Sequence, residues 1–308
     1  MKKNFKIFSI ILLTMIIISG CGKKDESLID KNKDKIKVVV TFNPLKEFVE
    51  YIGKDKVDVD VIIPNGTEPH DFEPKAKDII KLNQGNIFVY NGLGMESWVE
   101  KTLKSVENEE TLIVDSSKGC DPIKIDGDDN KKNGRDNGET VYDPHIWLGL
   151  STAKKQALNI KEALIKVDKN NKSFYEKNYN EFEKKIDILF NDYKDKFKAL
   201  KNKNFVTAHS AFAYFCRDFG LEQRSVEGVF AEGEPGSKKM KELIDYCKAN
   251  NIKTIFSEEN ISPKVSQALA KEVGAKVEII DTIELKKDNK KYLEIMIENI
   301  EKVYNSLK

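Results

Sequence analysis

The 308-residue chain carries 52 lysines and arginines against 51 aspartates and glutamates, so its formal net charge is +1. Basic residues are spread among acidic ones without a basic stripe or a nucleic-acid-binding motif, which excludes a polyanion-binding protein and predicts no nucleic-acid partner. Beyond one N-terminal cysteine, three cysteines without a C-x-x-C spacing indicate neither a disulfide framework nor a thiolate zinc knuckle.

The N-terminus has the pattern of a bacterial lipoprotein signal. Lysines precede an apolar run at residues 7–18, and Cys21 follows a pair of small residues. The run is too short to span a bilayer, and a cysteine in this place resembles the lipobox, in which the thiol is lipidated. We therefore expect residues 1–20 to be a signal peptide and residues 21–35 a flexible tether, with Cys21 anchoring the protein to the outside of the cell membrane. An ordinary secretory signal is the alternative.

Short β-branched runs and helix-like segments alternate in the first half of the folded chain, which predicts parallel βαβ units. We expect an N-terminal α/β lobe at residues 36–150. Its strands are predicted at residues 36–42, 57–63, 87–90 and 111–114, and its helices at 45–52, 76–82 and 97–105. The acidic, glycine-containing segment 126–140 is predicted to be a surface loop.

Apolar and aromatic residues in steps of three and four predict one long amphipathic helix at residues 172–200. We expect it to be a stiff connector within a helical segment, 151–203. A coiled-coil dimer is the alternative, but the stripe is rich in aromatic residues and lacks a leucine and isoleucine seam, which favours a monomer.

The alternation of strands and helices returns after residue 203 and predicts a C-terminal α/β lobe at residues 204–308. The expected fold class is therefore α/β, with two lobes that each contain a mostly parallel sheet flanked by helices and that are joined by one long helix. The strands are predicted at 205–208, 226–230, 253–257 and 276–281, and the helices at 211–219, 237–250 and 263–273.

The chain has only three histidines, His70, His145 and His209, and each ends a short motif of similar style. Imidazole is the commonest side-chain ligand of zinc, and three of them supply most of a tetrahedral shell. His70 and His209 follow predicted strands, and in open α/β sheets ligands bind at the carboxyl ends of strands. The sequence therefore predicts one metal site in a cleft between the lobes.

A closed zinc site needs a fourth ligand, for which a carboxylate after a strand of the second lobe is suited. Asp281 ends the predicted strand 276–281, and its charge would partly compensate the dication. An aspartate in this place is more often only a turn residue. Glu258 and Glu259, after the strand that ends at residue 257, are the competing ligands, and Glu258 is also a candidate for supporting a ligand histidine.

Five motifs together resemble the zinc- and manganese-binding lipoproteins of bacterial metal ABC transporters, the ZnuA-like or cluster 9 substrate-binding proteins. The motifs are GTEPHDFEP at 66–74, NGLGMESW at 91–98, DPHIWL at 143–148, HSAFAYF at 209–215 and FSE at 256–258. The resemblance covers the whole mature chain. It implies two α/β lobes joined by a spanning helix, with metal held between them by residues matching His70, His145, His209 and Asp281. It also implies an ABC permease and a cytoplasmic ATPase as partners.

The resemblance has departures that bear on the metal. The family often has proline after the fourth ligand, whereas Thr282 follows Asp281 here, and the acidic loop lacks the histidines that zinc-specific members often carry. Manganese-type members usually have a carboxylate where His209 stands, and nitrogen ligands favour zinc over Mn²⁺.

We therefore expect high-affinity capture of Zn²⁺ outside the cytoplasm and its delivery to a permease, without catalysis. A Mn²⁺-binding lipoprotein is the closest alternative. From other classes, a zinc hydrolase lacks the H-E-x-x-H spacing, and a surface adhesin has no diagnostic sequence feature.

Overall fold

Two four-stranded parallel sheets organise the part of the chain that the computed structural model describes, residues 35–125, 140–230, 236–258, 262–287 and 290–308. The strand order is β2-β1-β3-β4 in the N-terminal sheet and β6-β5-β7-β8 in the C-terminal sheet. Both sheets therefore have the same strand order. In each of them the first strand has the second strand on one side and the third on the other, so the order of the strands reverses direction there. The predicted α/β class with two lobes and one long helix is confirmed.

The burial of each strand in the N-terminal lobe follows its place in the sheet. The central strands are wholly or largely apolar, whereas the edge strand β2 alternates buried or half-buried valine with exposed aspartate. A strand covered on both faces reads as a continuous apolar run, and a half-solvated one alternates. The elements are β1 (Ile36–Val40), α1 (Asn43–Gly53), β2 (Val57–Val61), α2 (Ala76–Gln84), β3 (Ile87–Tyr90), α3 (Val99–Leu103) and β4 (Leu112–Asp115).

The C-terminal lobe departs from the sequence prediction at its edge strand. The strand predicted at 226–230 is wrong, because β6 is the polar segment Glu222–Ser225, paired in parallel with β5. A half-exposed edge strand does not need apolar residues, so it lacks the pattern on which the prediction relied. The elements are β5 (Asn204–Thr207), α6 (Ala213–Phe219), β6 (Glu222–Ser225), α7 (Ser237–Ala249), β7 (Thr254–Ser257), α8 (Lys264–Val273) and β8 (Lys276–Ile279).

Three further helices complete the fold. Helix α4 (Leu150–Val167) leads into the long helix α5 (Lys172–Ala199, 28 residues), and α9 (Tyr292–Leu307) closes the described chain. The sequence patterns had not singled out α9. Its first residue, Tyr292, packs edge-on against Phe48 of α1, with ring centroids 4.7 Å apart. One buried apolar cluster includes residues of both lobes and of these three helices, so the lobes share a core.

Several predictions concern parts of the chain outside the described residues. These are the signal peptide, the lipidated Cys21 and nearly all of the tether and of the acidic loop 126–140. Among the described residues, no helix combines the length and the apolar character that crossing a membrane requires. The four predicted boundaries between segments also stay predictions.

The shared core makes a prediction for Phe182, which lies in α5 and is 1% exposed. Its ring contacts Phe48 and Tyr51, with centroids 5.6 and 5.1 Å away. Phe182→Ala should lower the free energy of unfolding by about 3–5 kcal/mol in urea titrations, because it leaves a cavity between α1 and α5. Ile188→Ala is the control, since Ile188 lies in the same helix but is 50% exposed. A similar loss in both variants would contradict this packing.

Candidate metal centre

His70 lies in a 3-10 helix, Pro69–Asp71, that follows β2 at the carboxyl edge of the N-terminal sheet. Pro69 starts this helix with its backbone preset for the turn, and the Glu68 carboxylate accepts a hydrogen bond from the His70 backbone N–H at 3.4 Å. The His70 side chain is buried, with 9% of the residue exposed. The local sequence Glu-Pro-His therefore folds the imidazole inward from the strand end.

His145 is held by a carboxylate two residues before it. Asp143 Oδ1 accepts hydrogen bonds from the His145 backbone N–H at 2.9 Å and from ring atom Nδ1 at 2.8 Å. The ring proton is thereby fixed on Nδ1, which leaves the lone pair of Nε2 for a metal. Burial lowers the pKa of His145 well below its usual value and raises that of Asp143 to about 7. His145 is therefore neutral, the form that binds metal.

His209 follows β5 and is 2% exposed. Its Nδ1 lies 3.0 Å from Glu258 Oε2, and its Nε2 lies 3.0 Å from the carbonyl oxygen of Val229. Burial opposes a positive charge here, but the Glu258 carboxylate outweighs it and raises the pKa of His209 to about 10. In the metal-free protein both ring nitrogens therefore donate to acceptors, and a metal must displace the proton on one of them.

The structure brings the three histidines together. One ring nitrogen from each histidine lies within 4.8 Å of one ring nitrogen from each of the other two, and all three residues are buried. Nε2 of His70 and Nε2 of His145 lie 3.3 Å apart. Two ligands at about 2.05 Å from a tetrahedral zinc ion would be about 3.3 Å apart, so this pair already has the spacing of ligands on one ion.

Asp281 lies outside this group. Its Oδ1 accepts a hydrogen bond from the backbone N–H of Ile283 at 2.7 Å, and its Oδ2 lies 3.4 Å from Lys287 Nζ. Asn299 of α9 holds the backbone N–H and carbonyl oxygen of Asp281. The carboxylate therefore shapes the turn after β8, which is the common role of an aspartate in this position.

Glu284, three residues further on, was not among the site residues predicted from the sequence. It is 5% exposed, and burial, together with the charges of Glu68 and Glu258, raises its pKa to about 8 against the attraction of His209. Its carboxylate thus shares the electrostatic environment of the histidines, although, like Asp281, it lies outside the group of three ring nitrogens. In the sequence, Glu284 stands out only as a second acidic residue shortly after the predicted strand. No local pattern distinguishes it from Asp281 as a candidate ligand.

Glu258 supports a histidine in the same way as Asp143. It is 2% exposed and contacts His209 Nδ1, so the C-terminal lobe repeats the carboxylate–imidazole pair of the N-terminal half. Such pairs fix the orientation of a metal-binding ring and raise its basicity. Of the two roles expected for Glu258, the geometry is that of a supporting residue. Glu259 lies outside the described residues.

The fold and this cluster define a class: a two-lobed α/β protein with three buried histidines, able to hold a metal ion, where the lobes meet. Residues 38–306 match the family described as "ZnuA: Zinc-uptake complex component A periplasmic".

The similar proteins include a putative metal-binding protein of Treponema pallidum, 39% identical over 95% of this chain and 93% of its own. The high-affinity zinc uptake system protein ZnuA of Bacillus subtilis is 36% identical over 100% of this chain and 99% of its own. Among solved structures, the laminin-binding protein Lmb of Streptococcus agalactiae, described as bifunctional with adhesin and metal-transporting activity, has a TM-score of 0.80. It is 33% identical and matches 89% of this chain and 100% of its own.

The chain belongs to the ZnuA family of zinc-binding proteins. Members of this family are the substrate-binding components of ABC zinc-uptake systems and not enzymes. The predicted family, function and preference for Zn²⁺ are thereby confirmed, and the three-histidine cluster is compatible with that ion.

The positive charge on His209 in the metal-free protein predicts that metal binding releases protons. Zn²⁺ binding at pH 7.5 should release at least one proton, because the pKa of His209 is raised to about 10 and metal replaces its ring proton. Affinity should then rise about tenfold per pH unit between pH 8 and 9, and more steeply below pH 8, where Glu284 is also protonated. Calorimetry in buffers of different ionisation enthalpy measures the release. Glu258→Gln should reduce it, and binding without proton release would contradict this charge state.

Proposed function

We propose that this chain captures Zn²⁺ outside the cytoplasm with His70, His145, His209 and Glu284, and delivers it to an ABC permease driven by a cytoplasmic ATPase. The observation that carries the proposal is the convergence of three buried imidazoles, within 4.8 Å, from segments 64 or more positions apart in sequence. The Nε2 atoms of His70 and His145, 3.3 Å apart, already have the spacing of two ligands on one zinc ion.

Glu284 completes the proposed shell in place of Asp281. Three neutral imidazoles and one carboxylate would leave a charge of about +1 on a bound dication, and Glu258 and Asp143 place further negative charge behind two of the rings. Glu284 is the more deeply buried of the two candidate acids, whereas Asp281 is occupied by its turn and by Lys287. A carboxylate near His209 also offsets the repulsion that an incoming cation would meet.

The donor set favours Zn²⁺ over Mn²⁺. Imidazole nitrogen is a good ligand for zinc, whereas manganese prefers carboxylate, carbonyl and water oxygen. Three nitrogens and one oxygen also make up a closed tetrahedral shell, without the open position that a catalytic zinc keeps for water. The arrangement therefore suits binding and release of the ion rather than hydrolysis.

The proposal extends to the location and assembly of the protein. The lipobox-like sequence at Cys21 supports an anchor on the outer face of the cell membrane, with the following residues as a tether. The anchor would keep the protein close to its permease. We propose that it acts as a monomer, since both lobes and all the proposed ligands come from a single chain.

Adhesion is a second candidate function, because the similar protein Lmb is described as both an adhesin and a metal transporter. Binding of the chain to immobilised laminin, measured with and without Zn²⁺, tests it directly. Saturable binding by the unaltered protein would support adhesion, and its absence in both conditions would remove this candidate.

The ligand set makes a prediction that separates the two acids. Glu284→Ala should weaken Zn²⁺ binding by more than about 100-fold, beyond the 10- to 100-fold typical of residues that only support ligands. Asp281→Asn, which keeps an acceptor for the Ile283 N–H, should change it by less than about tenfold. Competition with a chromophoric chelator measures both. The reverse order would return the fourth-ligand role to Asp281.

Removal of any one histidine is predicted to be as severe as removal of Glu284. His70→Ala, His145→Ala and His209→Ala should each weaken Zn²⁺ binding by more than about 100-fold, since each opens the shell. The folded state of each variant is checked by thermal unfolding without metal. Near-native affinity in any variant would remove that histidine from the proposed site.

A further inference from the structure

The segment that carries Glu284, residues 281–287, belongs by sequence to the C-terminal lobe but is held by side chains from the other half of the chain. The indole N–H of Trp147 donates to the carbonyl oxygen of Thr282 at 2.7 Å. The side-chain amide of Asn43 donates to the carbonyl oxygen of Ile283 at 3.1 Å. These bonds secure the two residues immediately before Glu284.

Trp147 also contacts the end of the connection between β8 and α9. Its carbonyl oxygen accepts a hydrogen bond from the hydroxyl group of Tyr292 at 2.6 Å, and Tyr292 is the first residue of α9. One residue therefore fixes both the beginning and the end of the connection that contains Glu284. We call the hydrogen bonds from Trp147 and Asn43 to this segment the clasp.

Trp147 also packs against His145, one of the proposed metal ligands. The Trp147 ring is fully buried, and its centroid lies 5.2 Å from that of His145 and 4.8 Å, edge-on, from that of Phe42. Trp147 follows His145 by two residues in the same short segment. Movement of the indole would therefore disturb the positions of His145 and of the Glu284 segment together.

The backbone conformation of Ile283, at the clasp, needs stabilising contacts from neighbouring residues. Ile283 has a φ of 64°, a left-handed conformation that is costly for a β-branched residue and persists only when its surroundings enforce it. The Asp281 carboxylate holds the Ile283 N–H, and Asn43 holds its carbonyl oxygen. Without these partners the segment would relax to an ordinary conformation, and the direction of the next side chain, Glu284, would change.

We propose that Trp147 and Asn43 are positioning residues for metal binding: their clasp orients Glu284 toward the three histidines. This inference rests on the proposed function and on the proposed role of Glu284. Without the clasp, Glu284 points toward the histidines in a smaller fraction of the molecules. The apparent affinity for Zn²⁺ falls in proportion to that fraction. Neither residue is one of the proposed metal ligands.

The test is a double-mutant cycle between Trp147→Phe and Glu284→Ala. Trp147→Phe keeps an aromatic ring but removes the donor, and should raise the Kd for Zn²⁺ by about 5- to 30-fold, as the loss of one buried hydrogen bond implies. In the Glu284→Ala background the same change should have less than about a twofold effect, because residues that act through one another are not additive. An equal effect in both backgrounds would overturn the proposal.

The chain offers a matched control in its other tryptophan. Trp98 is 3% exposed, and its indole nitrogen has no hydrogen-bond partner among the described residues. Trp98→Phe should therefore leave the Kd within about twofold of the unaltered protein. An effect as large as that of Trp147→Phe would assign the loss to packing and overturn the clasp.

Cobalt gives a readout that a general loss of stability would not change. The visible spectrum of the Co²⁺-loaded Trp147→Phe protein should shift toward that of Glu284→Ala, whereas Trp98→Phe should match the unaltered protein. An unshifted spectrum would overturn the proposal. Should Trp147→Phe fail to fold, Asn43→Ala takes its place in the same cycle and spectra, with the same criteria.

The outcomes separate the two proposals. If neither the unaltered protein nor Trp98→Phe binds Zn²⁺, the proposed function fails, and the role of the clasp fails with it. If both bind Zn²⁺ and Trp147→Phe binds equally well, only the clasp fails.

Discussion

The interaction on which the site depends is the hydrogen bond between a buried carboxylate and the Nδ1 atom of a histidine, formed once in each half of the chain. Asp143 holds His145, and Glu258 holds His209. A free imidazole has two tautomers and rotates, so unaided rings would seldom present lone pairs to one point. The carboxylates fix the ring orientation, and for His145 also the tautomer. They also place negative charge behind the rings, where it favours a dication without occupying the metal's own shell.

The fold provides the frame for these pairs. In each sheet the first strand lies between the second and the third, so the chain connects outward from the first strand in opposite directions. In open α/β sheets, ligands bind at the carboxyl ends of the strands beside such a reversal. His70 follows β2 and His209 follows β5, at that edge of their respective sheets. A shared core and the long helix α5 connect the lobes, and the three histidines lie close together where the two edges meet.

Much of this was accessible from the sequence, and the exceptions share a cause. Strands β1 and β3 were predicted because central strands need continuous apolar runs, and the three histidines because they were scarce and two of them followed strands. Strand β6 was displaced because a polar edge strand carries no such signal. Glu284 was not predicted because the segment that carries it is held by Trp147 and Asn43, which bond to Thr282 and Ile283 across 135 and 240 residues, and no local pattern contains that information.

The central claim is that three imidazoles and one carboxylate of this chain form a closed zinc shell. Zinc X-ray absorption spectroscopy of the loaded protein tests it most directly. The predicted spectrum fits four ligands, all nitrogen or oxygen at about 2.0–2.1 Å, with the outer-sphere scattering of three imidazole rings. In Glu284→Ala the three-ring signal should persist while one oxygen ligand is lost or replaced by water. A fit with sulfur, with six oxygen ligands or with fewer than three imidazoles would contradict the account.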